Sequence, residues 1–108
     1  MYMLSPRINV ESIRVSDAGD LPQGLYFYFL VGVREDGSES YPHVIQVYAN
    51  YRENLVSLFW ECDFDVKEYR LYRGSSMEDI DGYFTIDGNE FHDNGLGVLN
   101  EFKGNLWL

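Results

Sequence analysis

The chain's hydrophobic positions fall into short runs with a period of two, the mark of strands that bury one face. The strongest run spans residues 25–35. There Tyr26, Tyr28 and Leu30 share one face, and Leu25, Phe27, Phe29, Val31 and Val33 share the other. Apolar residues on both faces predict a strand in the middle of a sheet, or one covered on its second side. Upstream, Ile8, Val10, Ile13 and Val15 alternate in two pairs whose phase slips between them. That slip predicts one bulged strand or two short ones. The intervening SDAGDLPQG (residues 16–24) reads as a turn-rich loop.

Downstream, Asp36-Gly37 is a hairpin signal. The return strand covers residues 41–48, and ANYREN is a polar connection. Residues 55–61 form the next strand, with Val56, Leu58 and Trp60 on one face. Residues 69–73 follow, with Tyr69 and Leu71 opposite Arg70 and Tyr72. GSSMEDIDG reads as a loop or one helical turn. Short strands at residues 83–86 and 90–92 close the series. About seven strands punctuated by turns predict an all-β fold, a sandwich of antiparallel strands. Residues 1–97 make the sandwich domain and residues 98–108, VLNEFKGNLWL, an apolar tail that docks elsewhere or adds a strand.

Composition sharpens this only in places. The length of 108 residues suits one core. Aromatics at 17% favour strands. A net charge of −10 argues against nucleic acid, which needs clustered Lys and Arg, and against an anionic membrane. The longest apolar run is far too short to cross a bilayer. The single cysteine, Cys62, allows no disulfide within the chain and fits a reducing compartment; the N-terminus has no signal-peptide pattern. Synthesis in a cytoplasm is therefore expected.

Four motifs carry a family resemblance. LVSLFW ends a strand in a core-type tryptophan, YRLYRG follows it, FHDNG comes later, and LPQGLYFYFLVGVREDGSES precedes them all. Together they resemble the fibronectin type III superfamily, of immunoglobulin-like architecture. The family's usual order places the tryptophan strand first; here the order is permuted. The permuted layout is similar to modules of tailed-bacteriophage virion proteins. The resemblance implies a non-enzymatic structural protein of the virion, made in the host bacterial cytoplasm, whose partners are other virion proteins of capsid, neck, tail or fibre. The alternative is a carbohydrate-binding or host-adhesion module.

Candidate residues follow from these readings. Trp60, Tyr26, Leu58, Tyr69 and Leu71 are expected in the core, Tyr26 capping a loop through its hydroxyl. Tyr28, Tyr48, Tyr51, Tyr72 and Tyr83 are more aromatic area than one small core needs and form a candidate exposed binding face. Met3, Leu4, Val98, Leu99, Phe102, Leu106 and Trp107 are candidate docking residues at the two ends. No catalytic or cofactor site is expected, since no motif places a nucleophile beside His43 or His92. The acidic groups Glu61/Asp63/Asp65, Glu78/Asp79/Asp81 and Asp87/Asn89/Glu90 match no calcium-loop spacing, so no metal site is expected either. Acidic neighbours make Cys62 a poor candidate for a reactive thiol.

Overall fold

The computed structural model describes residues 9–62 and 65–102. It is all-β: five antiparallel strands form one curled sheet, and no helix occurs among the described residues. The strands are β1 (Val10–Arg34), β2 (His43–Trp60), β3 (Val66–Gly74), β4 (Ile80–Ile86) and β5 (Glu90–Asp93), in the sheet order β4-β3-β1-β2-β5.

Two of these strands are longer than the sequence predicts. The expected loop at residues 16–24 and the expected connection ANYREN lie inside β1 and β2. The turn chemistry is real but bends the strands instead of ending them. The β1–β2 register slips between Ser16 and Leu21 and again between Pro22 and Gly24, so both strands turn a shared corner. Before the corner β1, among the described residues, pairs only with β2, from Val10↔Trp60 to Ser16↔Leu55. Beyond it, β1 also takes β3 as a neighbour, from Phe27↔Gly74 to Arg34↔Val66. Past its own bend β2 gains β5, from Val56↔Asp93 to Phe59↔Glu90.

The corner lets the sheet fold over on itself. Phe84 of β4 and Phe91 of β5, at opposite ends of the strand order, have ring centroids 4.6 Å apart. Trp60 of β2 meets Tyr69 of β3 at 5.5 Å. The enclosed core contains Tyr28, Leu30, Ile45, Val47, Val56, Leu58, Trp60, Tyr69 and Leu71. Trp60, Leu58, Tyr69 and Leu71 are thus buried, while Tyr26 packs half-buried at the margin. Its hydroxyl donates to the Pro22 carbonyl at 2.6 Å, holding the bend in β1.

A buried polar side chain and a backbone contact lock the same corner. Asn54 is fully buried. Its amide nitrogen donates to the carbonyls of Leu21 (3.0 Å) and Tyr51 (2.8 Å), and its oxygen accepts from the Tyr51 N–H (3.0 Å). These bonds satisfy backbone groups that the bend removes from the ladder. From the other side the turn after β5 closes in, with Asp20 N–H donating to the Asn94 carbonyl at 2.8 Å. Gly95 sits there with φ +85°, and a Cβ on it would lie 2.7 Å from the Leu21 Cα. G95A is therefore expected to cost roughly 2–4 kcal/mol, combining backbone strain with a backbone collision. Urea denaturation measures it.

The hairpin at Asp36-Gly37 forms as the sequence predicts. Gly37 has φ +84°, its N–H donates to the Arg34 carbonyl at 2.9 Å, and the Asp36 carboxylate accepts from Ser38 N–H. The segment 75–79 is a turn, not helix, held by Ser76 Oγ accepting from the N–H groups of Glu78 and Asp79.

Candidate docking face

The aromatic residues divide by strand parity. Tyr28 points into the enclosed core and is 0% exposed. Its hydroxyl donates to Asp93 Oδ2 at 2.6 Å. Asp93 is itself buried, receives two bonds from the Arg73 guanidinium at 2.8 Å, and accepts from Gly95 N–H at 3.1 Å. Arg73 also lies over the Phe84 ring. This is a structural clamp between the two layers of the curled sheet. It withdraws Tyr28 from the expected binding face, because the pleat directs Tyr28 inward with Tyr26 and Leu30.

Tyr72 is also removed from that face. It is buried in a second cluster on the outer surface of β1 and β3, with Phe29 and Val31. Phe27, Ile80, Tyr83 and Phe102 pack around it, and the Tyr72 ring lies 5.2 Å from Tyr83 and 4.9 Å from Phe102. Tyr83 is half-buried there, beneath the Arg70 guanidinium.

Burial raises the ionisation range of the Tyr28 hydroxyl far above its usual value, and the adjacent Asp93 carboxylate raises it further. Burial does the same, less strongly, to Tyr72 and Tyr26. A hydroxyl whose folded-state pKa is raised stabilises the fold fully below its unfolded pKa. That contribution is lost as pH climbs above about 10. Phenolate absorbance is therefore expected to show Tyr28 ionising only as the protein unfolds in alkali.

The C-terminal candidates divide as well. Asn100 exchanges backbone hydrogen bonds with Tyr83 (3.1 and 2.8 Å), which lays residues 99–102 along the β4 edge. Leu99 packs on the enclosed core and Phe102 on the outer cluster. The tail, expected either to dock elsewhere or to add a strand, thus begins along the edge of its own sheet, with Leu99 and Phe102 on two different apolar clusters. Val98 remains 90% exposed. Met3, Leu4, Leu106 and Trp107 lie outside the described residues.

What remains exposed is a strip on the outer face of β1 and β2. The cross-strand pairs are Leu25↔Tyr48, Phe27↔Gln46 and Phe29↔Val44, none of them charged. Leu25, Val44 and Tyr48 are exposed, Tyr48 at 58%, and Tyr51 is exposed just beyond, in the bend of β2. Gln23 steadies the strip's end, its amide donating to the Tyr48 hydroxyl at 3.4 Å and the Asn50 carbonyl at 3.5 Å. Among the described residues, 44–49 have a ladder partner on one side only. Edge strands are ordinarily guarded by charge, proline or a bulge. Residues 44–50, VIQVYAN, contain no charged residue and no proline.

Among the described residues no three His, Cys, Asp or Glu side chains gather in metal-binding fashion. Cys62 is exposed and free. No family model, curated protein or solved structure matches the chain.

Proposed function

We propose that the chain is a fibronectin type III-like sandwich in permuted order. It serves as a structural protein of a tailed-phage virion, docking on other virion proteins through the strip Leu25, Val44, Tyr48 and Tyr51. The strand arrangement supports the fold reading. Splitting β1 and β2 at their shared corner yields seven strand segments in two packed layers, the number that the family resemblance implies. Three of the motifs lie on strands of the sheet, which supports the reading. LVSLFW supplies the core tryptophan, YRLYRG lies on β3, and FHDNG supplies β5 and its closing turn.

The docking reading rests on one observation: an uncharged apolar strip lies on an edge strand of a chain whose net charge is −10. It is a place where another protein gains apolar contact without meeting the chain's own negative charge. Exposed tyrosine adds contact area at low entropic cost. Of the C-terminal candidates, Leu99 and Phe102 are already engaged within the domain.

The double variant L25S/Y48S tests this. Exposed substitutions away from special features usually change stability by less than about 0.5 kcal/mol, so its melting temperature is expected to stay near wild type. Its incorporation into particles, followed by mass spectrometry of purified virions, is expected to fall at least about tenfold. Normal incorporation would remove the strip from the account. Binding of the isolated protein to a glycan array, lost in the same variant, would favour the adhesion reading.

A further inference from the structure

The outer face of the other layer carries an arrangement that docking does not use. Register places Arg14 of β1, Ser57 of β2 and His92 of β5 side by side in one row across three strands. Ser57 Oγ lies 2.8 Å from His92 Nδ1, and His92 Nε2 lies 3.0 Å from Glu90 Oε2. An ionised carboxylate only accepts, so Glu90 selects the tautomer with its proton on Nε2. Nδ1 is then the acceptor for the Ser57 hydroxyl. The Phe59 ring steadies the imidazole edge-on at 5.6 Å, and the Arg14 guanidinium lies 5.9 Å from the centre of the same ring.

We propose that Ser57 is a nucleophile activated by His92 as general base, with Glu90 positioning the imidazole and Arg14 facing the developing oxyanion. The substrate class is a small acyl ester such as an acetyl ester, since Ser57 is only 8% exposed and a bulky acyl group would not reach its hydroxyl. Ser57 Oγ attacks the carbonyl carbon as its proton passes to His92 Nδ1. The tetrahedral intermediate expels the alcohol, which takes that proton from His92. Water then attacks the acyl-serine, loses a proton to His92, and releases the acid as Oγ recovers the proton. The sum is ester plus water giving acid plus alcohol. Nucleophile, base and orienting group follow the hydrogen-bond order of a catalytic triad, with the ring nitrogens in exchanged positions.

The test uses the full chain and p-nitrophenyl acetate, with acid quenching and peptide mapping. Acetylation of Ser57 is expected, lost in S57A and slowed at least about 100-fold in H92Q, the usual scale of general-base assistance. Circular dichroism checks that both variants remain folded. In E90Q the nitrogen NMR shifts of His92 are expected to lose their preference for the Nε2–H tautomer and the rate of Ser57 acetylation to fall with it, a loss of rate that a purely structural role would not produce. A second reporter is S57C: its introduced thiol is expected to react with iodoacetamide faster than exposed Cys62, and to lose that advantage in S57C/H92Q. No acetyl group on Ser57, or an H92Q rate equal to wild type, overturns the proposal.

Discussion

Replacing Asp93 with alanine is expected to cost about 3–5 kcal/mol, enough to unfold much of the population of a domain this size. Three groups lose their partner at once. The Arg73 guanidinium, only 13% exposed, keeps its charge without a counter-ion. The Tyr28 hydroxyl remains buried with no acceptor, and Gly95 N–H loses the contact that shapes the corner turn. Removing one member of a buried pair is far more costly than the pair's net contribution, because the stranded group bears its full desolvation penalty. Y28F removes only a donor and is expected to cost about 1–2 kcal/mol. In a double-mutant cycle the two changes should couple by about 1 kcal/mol or more, since they share one hydrogen bond. Urea titration of the four proteins gives the cycle.

The second large effect is expected at Trp60. W60A leaves a large void between β2 and β3 and should cost about 3–5 kcal/mol. The side chain is fully buried and stacks obliquely on Tyr69. W60F is expected to be much milder than its loss of volume suggests. Among the described residues the indole N–H has no hydrogen-bond partner, so phenylalanine removes an unsatisfied buried donor along with part of the ring. A W60F cost equal to that of W60A would show that packing alone decides the site.

The sequence disclosed the strands more fully than their continuity. Period-two alternation located the inward sets Tyr26/Tyr28/Leu30, Val56/Leu58/Trp60 and Tyr69/Leu71, all of which pack on the enclosed core. It could not show that SDAGDLPQG and ANYREN bend strands without ending them. That depends on Asn54, 33 positions from the Leu21 carbonyl it caps. The tyrosines failed for a similar reason. Counting aromatics against core volume assigned Tyr28 and Tyr72 outward, but a buried acceptor for Tyr28 and a second apolar cluster around Tyr72 make room for both. Parity alone already placed Tyr28 with Tyr26, and that signal was stronger than the volume argument. The Ser57–His92 contact was illegible for a different reason: it joins strands 35 positions apart, with no local motif.

The most direct measurement is hydrogen exchange on the free protein and on the protein assembled in its particle, reading residues 44–50 separately. The account expects the amides there that point away from β1 to exchange readily in the free protein and to become protected on assembly. Residues 69–73, paired on both sides in the sheet, should be protected in both states. Unchanged exchange at 44–50, with new protection appearing elsewhere, would contradict the docking face.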